Sequence, residues 1–374
     1  MKQIYLHIGH GKTGTSAFQA LMAQSQKMLL CAGILYKEHP SFSNAVRSRI
    51  SSGNIDPSDT NNWFDTQVLA TVRNNQNYDK YVFSCENAFH YMNSVYAALD
   101  DNKDNFNLHV ILAVRNPGDM LSSEYHQLVK RDGLFISYEA FLERTSYRCK
   151  HAFRALEIIE QLESKEISFS LLNFSNLGYA ITRRISEIIG IDTLVDTQKF
   201  TTMRVNRSMS VSELQALVLV NRLYGKFAGT KLSDALVNSL PDIKSDPLLP
   251  SASSSKKIAD EMKPIIHAIN RRLPLSSPLV VTSDVEIESN LICPLDDSQV
   301  AIIKSAISEL SQSEDRAWRA KRSSLLMKTA NKILGKEPLG VRVAFRLMKL
   351  AQHLQPSSQP IREKTRRLRR MIRR

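Results

Sequence analysis

The residues with the most chemical promise lie near the amino terminus. There Leu6-His7-Ile8-Gly9-His10-Gly11-Lys12-Thr13-Gly14-Thr15-Ser16 carries an apolar run into a glycine-rich turn and then into a helix. Such a turn aims backbone N–H groups and a helix N-terminus at one spot, and Lys12 adds a mobile cation while Thr13, Thr15 and Ser16 add hydroxyls. The combination suits a phosphate. It is not the Walker A spacing, which needs a glycine where Leu6 stands. A second group is Val114-Arg115-Asn116-Pro117, with Ser123 eight and Tyr125 ten residues after Arg115. An arginine fork and a hydroxyl can share one phosphate through charge-assisted hydrogen bonds. A third is Tyr81-Val82-Phe83-Ser84-Cys85-Glu86, a strand that ends on a carboxylate. The carboxyl ends of a parallel sheet gather on one edge, so Glu86 is expected beside the Gly9–Ser16 loop. His7 and His10 stand three apart without further clustered ligands, so no metal site is expected.

The run His-Ile-Gly-x-x-Lys-Thr-Gly-Thr-Ser resembles the 5′-phosphosulfate loop of sulfotransferases that use 3′-phosphoadenosine 5′-phosphosulfate (PAPS), above all bacterial and carbohydrate-type members. The resemblance covers about residues 3–210 and implies a P-loop-like sulfotransferase fold with PAPS as co-substrate and no metal. It puts Lys12 on the leaving phosphate and makes Gly11, Thr13, Gly14, Thr15 and Ser16 the loop's binding groups, although many relatives carry a bulkier residue where Gly11 stands. It sends Arg115 and Ser123 to the 3′-phosphate. Arg204 and Asn206, in a Val-Asn-x-Ser stretch that bacterial members share, are further candidates there, while Ser210 with Glu213 also reads as a helix capping box. Carbohydrate-type members use a strand-end glutamate as base, which maps to Glu86. Cytosolic members use histidine, which keeps His90 and His10 as alternatives. The implied reaction is in-line transfer of a sulfuryl group to a hydroxyl of a carbohydrate, glycolipid or polysaccharide acceptor. Two competing readings are a P-loop nucleotide kinase, and a non-enzymatic membrane- or nucleic-acid-binding protein on a nucleotide fold. Against the first stand the spacing and the lack of an acid after His109–Val114. Against the second stands the intact set Lys12, Arg115, Ser123 and Glu86.

These groups need a scaffold of alternating strands and helices. Strands are expected at Ile4–Ile8, Ile34–Tyr36, Tyr81–Ser84, His109–Val114 and Ile167–Leu172. Helices are expected at Gly14–Leu30, Phe64–Asn75, Ala88–Leu99, Pro117–Lys130, Ala152–Glu163, Asn176–Ile189, Val211–Tyr224, Lys256–Arg272 and Ser298–Leu310. The alternation predicts an α/β fold, a central parallel sheet flanked by helices, with a helical C-terminal extension. The polar stretch 41–62 reads as a loop over the acceptor site, and Pro241–Ser255 as a linker. The expected division is a transferase domain over 1–314, with its nucleotide-binding core at 1–210 and an acceptor-side helical region at 211–314, followed by a basic tail over 315–374.

Charge sets the tail apart. The 374 residues carry a net +13, yet 18 Lys/Arg against 2 Asp/Glu fall in Arg316–Arg374, which leaves the body near neutral. Basic amphipathic helices suit an anionic membrane surface; nucleic acid is the weaker partner, and a solvated cationic tail is the plain alternative. The four cysteines, Cys31, Cys85, Cys149 and Cys293, show no zinc or redox spacing, and buried thiols in a reducing compartment are the simplest reading. No apolar run is long enough to cross a membrane, and the amino terminus lacks the pattern of a signal peptide. The expected location is cytoplasmic, peripheral to the inner face of the membrane.

Overall fold

A computed structural model describes the chain outside residues 10–12, 50, 52, 59–60, 103–105, 145–149, 199–207, 241, 244–247, 282–294, 313–315, 334–337 and 373–374. The chain divides into two compact units. The first comprises Met1–His126, Ile136–Ser208 and Pro247–Leu291, and the second Gln127–Phe135, Met209–Asp246 and Ile292–Arg374. The boundary expected at 314/315 therefore falls inside the second unit. The helix Ala252–Asn270, grouped by sequence with the 211–314 region, belongs to the first.

The first unit is an α/β layer structure built on a five-stranded, all-parallel sheet. Its strands are β1 (Lys2–Gly9), β2 (Ile34–Leu35), β3 (Lys80–Ser84), β4 (Phe106–Val114) and β5 (Ser168–Asn173), in the order β2-β3-β1-β4-β5. Both faces are covered, which is why the inner strands read as nearly continuous apolar runs. On one face Val82, Ile111, Ala113 and Leu172 pack under Phe18, Leu21 and Met22 of the helix Thr15–Gln24 and under Ile181, Ile185 and Ile189 of the helix Ile181–Ile189. Ile4, Leu6 and Ile8 point to the other face and are fully buried. The connection from β1 leaves toward β2 on one side, and that from β4 leaves toward β5 on the other. The crevice between the carboxyl ends of β1 and β4 is thus the switch point at which such sheets take ligands.

β2 has only two residues and pairs with Lys80 and Tyr81 alone, so the outer edge of β3 would be bare at its carboxyl end. Asn54 covers it. Its side chain donates to Val82 O (2.9 Å) and accepts from Ser84 N (2.8 Å), and its own N–H donates to Ser84 O (3.2 Å). Gly53, at φ +92°, permits this approach, because a Cβ there would lie 1.9 Å from Ser84 O. The stretch expected to be a free loop over 41–62 is therefore partly a sheet-edge cover, and it also contains the short helix Phe42–Val46.

Other elements differ from expectation in detail. The helix expected over Gly14–Leu30 breaks at Ser25 into Thr15–Gln24 and Gln26–Cys31. The first six residues of the 64–75 helix wind as π-helix, Phe64–Leu69, and the 88–99 helix divides into a 3-10 segment Asn87–His90 and a helix Asn93–Asn102. Helices Tyr138–Arg144 and Lys226–Ser239 were not expected. Cys85 is buried, as supposed, but Cys31 is exposed; Cys149 and Cys293 lie outside the described residues.

The second unit is helical: Val211–Tyr224, Lys226–Ser239, Asp297–Gln312, Arg316–Ile333, Pro338–Leu354 and Gln359–Ile372, with the π-turn Leu128–Asp132. Ser210 and Glu213 form the capping box, Glu213 N donating to Ser210 Oγ (3.3 Å) and Ser210 N to Glu213 Oε2 (2.9 Å). Among the described residues no helix is long and apolar enough to cross a membrane.

Candidate active site

β1 delivers the chain to Gly9, and the helix Thr15–Gln24 begins six residues later. Gly14 makes the turn. At φ +80° it occupies the left-handed region, and a Cβ on it would stand 2.9 Å from both Ile181 Cγ2 and Phe174 Cε2. Only glycine meets both demands. Gly14 O then accepts from Ala17 N (3.1 Å), which starts the helix with no acidic residue in its first turn. No carboxylate of the helix itself therefore compensates the positive end of its dipole. Thr13 and Thr15 are buried; Ser16 is half-buried, and its hydroxyl makes no hydrogen bond among the described residues. Gly11, Lys12 and His10 lie outside the described residues, as do Arg204 and Asn206.

Glu86 follows β3 by two residues, and β3 is hydrogen-bonded to β1. The sheet thus carries Glu86 to the start of the Thr15–Gln24 helix, where Thr15 Oγ1 donates to Glu86 Oε1. Beneath this pair lies a buried polar group that sequence reasoning missed. His7 and Ser84 are register partners on β1 and β3, and His7 Nδ1 meets Ser84 Oγ at 3.0 Å. Gln19 Nε2 reaches the same hydroxyl (3.3 Å) from the helix above. The Ser84 hydroxyl, two residues before Glu86, is thus engaged by His7 and Gln19. Burial pushes the His7 imidazole down to about 3, so it is neutral, and Phe18 packs edge-on against its ring at 5.1 Å. The only sequence signal for this group is polar residues at inward-facing positions of an apolar strand and helix.

Arg115 leaves the end of β4, next to β1 in the sheet. Its guanidinium lies 5.4 Å from the centroid of the Phe174 ring, the same ring that closes on Gly14. Phe174 therefore links the two motifs, and nothing in its sequence context marks it. Burial lowers the Arg115 pKa and Asp119 opposes that, leaving a cation at neutral pH. Asn116 anchors the turn: its N–H donates to Ser175 Oγ (3.0 Å), its Oδ1 accepts from Val280 N (3.1 Å), and its carbonyl accepts from Met120 N (2.9 Å) at the start of the helix Pro117–Gln127. Ser123 is half-buried on the second turn, and its hydroxyl makes no hydrogen bond among the described residues. Tyr125 is committed to packing, with its ring beside Tyr138 and Phe141 and its hydroxyl on Ile136 O (2.8 Å). A mainly apolar cleft opens beside Arg115, walled by Met120, Ala155, Ile269 and Leu279, with His151 at one side.

His90 does not share a face with Glu86. The intervening segment is 3-10 helix, in which a separation of four residues turns a side chain by about 120°. His90 instead stands 6.1 Å, ring to ring, from His151. Burial lowers its pKa, and Lys150 and Arg154 lower it further. His151 is pushed down to about 4 by burial, with His90 and Lys150 adding to the effect, so at neutral pH its 3.9 Å approach to Glu124 joins a neutral ring to a carboxylate. Among the described residues no group of three His, Cys, Asp or Glu stands close enough to hold a metal ion.

The arrangement can hold anions at two points, the helix start at Thr15–Ser16 and the Arg115 guanidinium, with a carboxylate at the first. Neither the models of known protein families nor the curated proteins give a match to this chain.

Proposed function

We propose that this chain is a sulfotransferase, which moves the sulfuryl group of PAPS to a hydroxyl of a carbohydrate or carbohydrate-bearing acceptor. The observation that carries the reading is the Thr15–Glu86 hydrogen bond. It sets a carboxylate at the N-terminal turn of the helix that follows a glycine loop, where it is placed to act as a base beside an anion bound there. Arg115, joined to the same loop through Phe174, supplies the second cationic point that a donor with two separate phosphate groups needs.

In this reading Glu86 takes the proton of the acceptor hydroxyl. The acceptor oxygen forms a bond to sulfur as the bond from sulfur to the bridging phosphate oxygen breaks, and 3′-phosphoadenosine 5′-phosphate leaves. The helix N-terminus at Thr15–Ser16 stabilises the charge that grows on the leaving oxygen, and Lys12 is assigned the same task by its place in the motif. Neutral His7, locked to Ser84, keeps β1 and β3 in register beneath Thr15 and Glu86.

Calorimetry with 3′-phosphoadenosine 5′-phosphate tests the proposal. The wild-type chain should bind it, and Lys12→Ala and Arg115→Ala should each weaken binding by about tenfold or more, the worth of a charge-assisted hydrogen bond or two. A wild-type chain that does not bind the nucleotide overturns the proposal.

A further inference from the structure

Among the described residues, the apolar stripes of the last three helices pack against one another. Leu326 and Ala330 of Arg316–Ile333, Leu347, Met348 and Ala351 of Pro338–Leu354, and Ile361 and Leu368 of Gln359–Ile372 form one buried core with Leu223. The helix Gln359–Ile372 also buries Thr365, whose hydroxyl donates to Ile361 O (2.7 Å). A helix lying in a bilayer interface must offer an apolar face, and this one has none to spare along its length. Its other side is different. At 100° per residue, Arg369, Arg362, Arg366, Arg370 and Arg367 follow one another over an arc of about 160° opposite the buried stripe. All five are exposed. The single acid on the helix, Glu363, accepts from Gln359 Nε2 (3.0 Å). Exposed Arg346 and Lys349 add charge on the preceding helix.

We propose that the arginine face of Gln359–Ile372 is a docking surface for an anionic lipid bilayer, held by charge and not by insertion of an amphipathic helix. Two features favour a bilayer over nucleic acid. The helix carries no aromatic side chain on which bases could stack, whereas single-strand binders set aromatics among their cations. Met371, 48% exposed, ends the helix at the margin of the arginine arc, next to Arg367, and is an apolar group suited to the headgroup boundary. Each basic residue near an anionic surface is worth about fivefold in partition, so five arginines together supply about three-thousandfold.

The test uses the full chain with vesicles of phosphatidylcholine alone and of phosphatidylcholine with phosphatidylglycerol, read by flotation. Binding is expected only to the anionic vesicles, with release in high salt. The triple variant Arg362→Glu, Arg366→Glu, Arg370→Glu should lose at least a hundredfold in partition while its circular dichroism and its nucleotide binding stay as in the wild type, because these side chains are exposed. Equal binding to neutral vesicles, salt-resistant binding, or an unaffected triple variant would overturn the proposal. So would duplex or single-stranded DNA that displaces the chain from vesicles at equal phosphate concentration, since the surface would then be a nucleic-acid face. The readout is independent of sulfuryl transfer, and failure of the enzymatic reading leaves this proposal standing.

Discussion

Thr15 and Glu86 stand 71 residues apart in the chain and meet only because β1 and β3 are neighbours. Replacing Glu86 by Gln keeps a group that can accept from Thr15 but cannot take a proton. Sulfuryl transfer should fall by about a hundredfold to ten-thousandfold while affinity for 3′-phosphoadenosine 5′-phosphate is unchanged; equal loss of both would make Glu86 a structural prop. His7 lends itself to a pH experiment. Its folded pKa of about 3 lies below the usual 6.5, so its contribution is complete above pH 6.5. It is lost as pH falls through the unfolded value toward 3, because the unfolded chain binds the proton first. Between pH 7 and pH 5 the unfolding free energy of the first unit should drop by about 2 kcal/mol on this account. His7→Gln, which can still bond Ser84, should flatten that slope in urea titrations at the two pH values. Two local features could be read from sequence: a glycine turn between a strand and a helix, and an arginine at a strand end. The His7–Ser84–Gln19 group could not, since its pairings depend on register and on which helix face turns inward.

At the scale of elements, the turn at Gly14 is the tightest constraint. Gly14→Ala puts a side chain into the left-handed region and drives its Cβ against Ile181 and the Phe174 ring. The expected cost is about 2 kcal/mol or more, seen as a lower thermal midpoint, together with at least tenfold weaker nucleotide binding, because Phe174 also carries Arg115. A variant with unchanged affinity would separate the loop from the arginine. The strands were legible because burial on both faces writes apolar runs such as His109–Val114 into the sequence. What was not legible has local causes. Ser25 interrupts the first helix without a proline or glycine to announce it. The 3-10 winding of Asn87–His90 moves His90 off the face that α-helical spacing would give it. The edge cover by Asn54 follows from the shortness of β2, which no residue of 51–56 advertises.

At the scale of the molecule, the basic carboxyl-terminal segment reads in sequence as an appendage, because its charge sets it apart from the body. The fold gives it another role. Its helices enclose Leu326, Met348 and Leu354 with Leu223, which lies in a helix nearly a hundred residues earlier, so the segment is part of the second unit's core. Cations could be concentrated there because the buried stripe of each helix is narrow and the wide remainder is free to carry arginine. A dispensable tail and a core component make opposite predictions for one substitution. Leu326 is almost wholly buried, and Leu326→Ala removes its side chain without touching a charge. If the helices merely hang from the body, the change is silent. If they form the core, it should lower the stability of the second unit by about 2–4 kcal/mol. Two units need not unfold together, so the measurement that decides is amide hydrogen exchange followed separately in peptides from 211–239, 316–333 and 338–354. Faster exchange in all three, with the sheet peptides of the first unit unchanged, is the expected pattern. The same coupling means that a chain cut after residue 315 should expose Leu223 and aggregate, so charge reversal on Gln359–Ile372, and not deletion, is the change that isolates the arginine surface.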